Sequence, residues 1–222
     1  MKSIPLSSFV DFAFTSGALS RERKVAQILT QLETETWIPF YQKFREIAQA
    51  YFENDQDANL LERECTNLRE MAAREPQRQR VIEANIQAVQ SLMSMGHISQ
   101  LANANTISLN ARRSQTISCE GLNLSVRPDF VFSKTIRGQE FVGGIKLFTS
   151  KENKLGNVWG KNLAVILQKY LESLNYNVRP DYCFAIDVFQ CRKYKSSDCI
   201  ESSLQKIQAE CRDFLRYKRS IE

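Results

Sequence analysis

The sequence predicts an α/β (α+β) fold, with a mixed β-sheet core flanked by helices and an N-terminal helical region ahead of it. Three observations carry this. Apolar residues before Gly96 recur at the helical period, and those from Thr116 to Phe189 recur mostly at the strand period. Helical stretches then interrupt and follow the strands. With 222 residues, 43% hydrophobic and 25% charged, the chain has an ordinary globular balance and can bury a core without disulfides or a structural metal.

The elements follow in order. Ser20 is placed to cap a helix whose stripe is Val25, Ile28, Leu29 and Leu32. A second helix is expected from near Thr36, with Pro39 in its first turn and Phe40, Phe44, Ile47, Ala48 and Tyr51 on one face. Two more are expected over 58–73 and 77–95, the latter bracketed by Pro76 and Gly96. Leu122, Leu124 and Val126 share one face of a strand over 116–126. Short strands follow at 129–132 and 140–148, joined by the Arg137-Gly138 turn. A helix over 157–174, a nearly all-apolar and hence central strand over 182–189, and a helix over 202–217 complete the chain. The natural division is residues 1–75 as a helical region and 76–222 as an α/β domain.

Several function classes drop out. No apolar run approaches the roughly 18 residues of a membrane span. Residues 1–20 have neither the core nor the cleavage site of a signal peptide, so a soluble, cytoplasmic protein with no membrane partner is expected. The six cysteines form no CxxC pair, and His97 is the sole histidine, which argues against zinc and against histidine-based triads. The eight glycines make no phosphate loop or dinucleotide fingerprint. Charge is uneven: residues 1–75 carry 9 Lys and Arg against 12 Asp and Glu, residues 76–222 carry 21 against 13. The second segment is the one to attract a polyanion.

Two short motifs stand one hairpin apart. Pro128-Asp129 heads the second strand, and Gly144-Ile145-Lys146 lies in the third. Hydrolysis of a phosphodiester needs a cation to neutralise the phosphate and activate water. A carboxylate at a strand start, with a carboxylate and a lysine two residues apart on the next strand, puts the required groups on one face. With the order helix, strand, strand, strand, helix, strand, helix from Gln77, this part of the chain (about 77–190) resembles the PD-(D/E)xK, or restriction-endonuclease-like, nuclease superfamily. The resemblance implies that Asp129 is a metal ligand and catalytic residue, that Lys146 is the catalytic lysine, and that the cofactor is Mg²⁺, with Mn²⁺ as a substitute.

Gly144 stands where the second carboxylate of that pattern belongs. Glu140 is about 20 Å along the strand from Lys146 and cannot stand in. Glu172, with Gln168, on the following helix, Asp187 in the apolar fourth strand, and Glu83 on the helix before the strands are the candidate replacements, Glu172 and Asp187 ranking first. Asp187 also reads as a buried carboxylate paired with Lys146. Arg112, Arg113, Arg127, Lys151, Lys154 and Lys161 flank the motif strands and are candidate nucleic-acid contacts. Two readings remain. One is a divergent metal-dependent nuclease acting on nucleic acid, DNA foremost. The other is an inactive protein of the same fold that binds nucleic acid or assembles with a protein partner, or with itself, through the N-terminal helices.

Overall fold

The computed structural model describes residues 2–34, 40–107, 116–199 and 201–221, the side chains of 201–203 excepted. Its strands are β1 (Ile4–Pro5), β2 (Asn105–Thr106), β3 (Thr116–Cys119), β4 (Leu122–Ser125), β5 (Phe130–Ile136), β6 (Gln139–Phe148), β7 (Val178–Asp187) and β8 (Arg192–Lys195). Its helices are α1 (Leu6–Phe14), α2 (Ala18–Thr34), α3 (Gln42–Glu53), α4 (Ala58–Arg74), α5 (Gln79–Ser94), α6 (Gly156–Ser173) and α7 (Glu201–Ile221). The mixed α/β class expected from the sequence is therefore observed.

The main sheet has the order β2-β5-β6-β7-β8. β5 and β6 form an antiparallel hairpin around Arg137-Gly138, both at positive φ, and α6 then carries the chain across to β7, parallel to β6. Alternation along these strands separates two cores. Phe130, Phe132, Ile145, Leu147, Tyr182, Phe184 and Ile186 pack against α3, α4 and α5. Val131, Val142, Cys183 and Ala185 pack against α6, which is itself covered by α1, α2, α7 and a small sheet of order β1-β4-β3. Helix α6 is buried on nearly all sides, with Leu163, Ala164, Leu167, Tyr170 and Leu171 at most 2% exposed. At Gly143 a Cβ would fall 2.4 Å from Cβ and O of Tyr182, so only glycine allows the register shift at which β6 and β7 approach.

Several expectations are corrected. Alternation over 116–126 is broken by a turn at Glu120-Gly121, both at positive φ, so one expected strand is a hairpin that leaves the main sheet and pairs with β1. Strands β1, β2 and β8 are too short for a period to be read, whereas helix α1, also not among the expected elements, carries Leu6, Phe9, Val10 and Ala13 at helical spacing. Residue 75 is not a packing boundary. Phe12 packs edge-on to Phe214 at 5.1 Å, Phe52 contacts Phe130 at 5.4 Å, and α4 and α5 pack together across residue 75. Residues 1–75 thus contribute to both cores of the α/β unit. The helix start expected near Thr36 lies outside the described residues. Among the described residues, no helix is long and apolar enough to cross a membrane.

Candidate functional site

Three elements converge at the Asp129 end of β5, where β2 no longer covers the strand edge. The β5–β6 register runs out at Phe130 opposite Ile145, and the Asp129 N–H still donates to Ile145 O at 2.8 Å. Asp129 therefore stands opposite Lys146, and its Oδ2 lies 3.0 Å from Lys146 Nζ. The same oxygen accepts the Leu147 N–H at 2.7 Å. Lys146 Nζ also donates to Arg127 O at 2.6 Å.

Helix α3 supplies the third group. Its start is tied to α5 by Asn85, 2% exposed, whose Oδ1 accepts the Phe44 N–H at 2.8 Å and whose Nδ2 donates to Phe40 O at 2.9 Å. With Phe44 and Ile47 held in the core, Arg45 projects from the stripe's edge and its Nη1 pairs with Asp129 Oδ1. The N-terminal segment forms the opposite wall. Pairing of Ile4 with Leu124 and of Pro5 with Ser125 sets Lys2, Ser3 and Ser7 beside the site. The result is a cleft of about 850 Å³ bounded by that segment, by α3 and by Arg127, Asp129 and Lys146.

Electrostatically, one carboxylate is divided between two cations. The Asp129 and Lys146 side chains are only 6% and 11% exposed, that of Arg45 32%. Burial pushes the Lys146 ammonium well below its usual range, and the charges of Arg45 and Arg127 push the same way. The folded state therefore holds this proton less tightly than the unfolded chain does. Between the lowered value and the ~10.4 of a free lysine the unfolded state binds more protons, so stability rises with pH. Urea midpoints measured from about pH 7 to about pH 10 should rise less in Lys146→Met than in the wild type, with Asp129, Arg45, Arg127, Lys2 and Glu46 the described charged groups that line the site in both.

The expected substitute ligands do not reach Asp129. Strand β6 lies between β5 and β7, and Asp187, fully buried, uses Oδ2 to accept the Leu155 N–H at 2.8 Å and Oδ1 to accept the Gln190 N–H at 3.1 Å. It organises the loops that end β6 and β7, and Lys146 pairs with Asp129 instead. Glu172 bonds to Gln168 at 2.6 Å and Lys169 at 3.0 Å, and Gln168 accepts from Ser196, just beyond the edge strand β8. Glu83 is exposed on α5, bonded to Gln79. Gly144 leaves no open space. A Cβ there would lie 3.2 Å from Leu171 Cδ1 and 3.5 Å from Leu167 Cδ1, under α6.

Mg²⁺ takes oxygen ligands in a near-octahedral set, usually with one or two carboxylates. Both oxygens of Asp129 are taken up by Arg45, Lys146 and a backbone N–H, and Glu46, the other described carboxylate lining the cleft, bonds to Gln42 and Lys43 instead. Among the described residues no three His, Cys, Asp or Glu are grouped to hold a metal ion. This donor set does not fit Mg²⁺ or Mn²⁺.

Of the six candidate nucleic-acid contacts, Arg127 lies in the cleft. Lys151 is bonded to Gln87 and sits 5.3 Å from the Phe189 ring centre, Lys154 is exposed and Lys161 half-buried, and none of the three lines the cleft. Arg112 and Arg113 lie outside the described residues. Sequence reasoning missed Arg45, Glu46 and Lys2. The usable signal was a single arginine flanking the apolar stripe of α3, but nothing local ties it to an aspartate 84 positions away. Comparison with protein-family models, with curated proteins and with solved structures finds no match.

Proposed function

We propose that the chain is a non-catalytic protein on a nuclease-like fold that binds nucleic acid by holding a phosphate in the Arg45–Arg127–Lys146 cleft. The observation that carries this reading is the neutralisation of Asp129 by two cations, with Gly144 packed under α6 leucines. The motif lysine and aspartate are retained as an ion pair, while the metal-chelating half of the chemistry lacks its ligands. Phosphate oxygens are bound by guanidinium and ammonium groups without any metal, and the cleft offers Lys2, Arg45, Arg127 and Lys146.

The test joins cleavage to binding. Single- and double-stranded DNA and RNA incubated with Mg²⁺ or Mn²⁺ should remain intact, and should bind with an affinity that falls as salt rises. Arg127→Ala should weaken binding about tenfold, the loss of one charge-assisted contact, and should lower the salt dependence by about one ion. Cleavage that Asp129→Ala abolishes would restore the hydrolytic reading.

A further inference from the structure

Resting on that reading, we infer that the group seated in the cleft is a terminal phosphate monoester, from a free nucleotide or from the phosphorylated end of an oligonucleotide, and not an internal phosphodiester of a continuous strand. Charge is the first argument. Among the described lining residues Arg45 and Lys146 share the one carboxylate of Asp129, and the exposed Arg127 adds a third cation beside them. A monoester carries about −1.5 to −2 at neutral pH and is drawn to such a group of cations more strongly than a diester, which carries a single charge.

Donor availability is the second argument. Arg45 and Lys146 are partly spent on Asp129, but the Arg127 side chain is exposed and makes no hydrogen bond or ion pair among the described residues. Its planar fork of donors is suited to two oxygens of one phosphate. Shape is the third. The cleft, at about 850 Å³, is of the size that encloses a small ligand, roughly 300–1,000 Å³. Sites that track a continuous strand pair a long basic groove with aromatic platforms on which bases stack. No described residue lining this cleft is aromatic. Its side walls carry Ser3, Ser7, Gln42 and Gln49, which can hydrogen-bond a sugar or base edge beside the phosphate.

The experiment uses the full chain and five probes: inorganic phosphate, deoxyadenosine 5′-monophosphate, and one short single-stranded DNA bearing a 5′-phosphate, a 3′-phosphate or hydroxyls at both ends. A DNA with a terminal phosphate should bind at least about tenfold tighter than its hydroxyl-ended counterpart, a gain of one further charge-assisted contact. Inorganic phosphate and the nucleotide should compete for the same site, and Arg127→Ala should erase the preference while leaving the fold intact. Tight binding of the nucleotide with no end preference among the DNAs assigns the site to free nucleotides and upholds the monoester inference. Equal, salt-sensitive and Arg127-dependent binding of all three DNAs, without competition by the nucleotide, overturns the inference and leaves the phosphate-backbone reading standing. Absence of binding by every probe at low salt overturns both.

Discussion

Asp129→Ala should cost the protein about 3 kcal/mol of unfolding free energy, read as a lowered urea midpoint at unchanged slope. The carboxylate is 6% exposed and satisfies three donors: Arg45 Nη1, Lys146 Nζ at 3.0 Å and the Leu147 N–H at 2.7 Å. Its removal strands an ammonium that is only 11% exposed and leaves a backbone donor unpaired. Arg45, 32% exposed, can turn to water, which holds the loss at the lower end of what breaking a buried pair costs. Asp129→Asn keeps an acceptor for Leu147 and should lose less. Adding Lys146→Met to Asp129→Ala removes the stranded charge, so the double variant should recover part of the loss, a coupling that distant sites do not show. The opposite sign would be diagnostic. A carboxylate kept for a metal, with no structural partners of its own, is relieved by truncation, and a more stable Asp129→Ala would refute the ion-pair assignment.

What could be read from the sequence divides along physical lines. The period of the apolar residues is a local signal, and it located α2 to α7 and the strands β5, β6 and β7, because each is long enough for a stripe or an alternation to repeat. The Arg137-Gly138 turn was legible for the same reason, since its chemistry sits in two adjacent residues. The two-residue strands β1 and β2 have no period at all, and β8 hardly one. They are held by neighbours that the sequence does not mark. The site shows the same split. Asp129 and Lys146 lie on one hairpin whose register follows from its turn, so their meeting was predictable. Arg45 reaches Asp129 only because Asn85 pins the start of α3, a contact between distant segments. Asp187 and Glu172 were ranked as ligands on strand and helix adjacency alone. The sheet order puts β6 between Asp129 and Asp187, and Gln168, bonded to Glu172, faces Ser196 beyond β8. The division expected at residue 75 rests on one signal as well. A shift from helical to strand periodicity marks a change of element, and in this fold helices from the first part cover both faces of the sheet that the second part builds.

Gly144→Glu, which would complete a PD-(D/E)xK pattern on paper, should destabilise the protein by about 4 kcal/mol or more and produce no cleavage. The register sets Gly144 between Val131 and Cys183, beneath Leu167 and Leu171 of α6, all buried. A Cβ would lie 3.2 Å from Leu171 Cδ1 and 3.3 Å from Phe130 O, so even Gly144→Ala should cost about 1 kcal/mol through overpacking. The rest of the longer side chain would bring a carboxyl group into the layer formed by Val131, Cys183, Leu167 and Leu171. Desolvation raises the pKa of such a group above the ~4.3 of an unfolded glutamate. The sign of the pH effect follows. The folded state holds the proton more tightly, so the variant should come closest to Gly144→Ala below about pH 4 and should fall further behind as pH rises through the raised value. Thermal unfolding of the two variants and the wild type at acid and neutral pH, with and without Mg²⁺, reads all of this at once. If Mg²⁺ stabilised Gly144→Glu selectively and the variant cut DNA, the new carboxylate would have to reach Asp129 past Lys146. The ion pair would then be a vacated metal site, and the cleft would retain the geometry of hydrolysis.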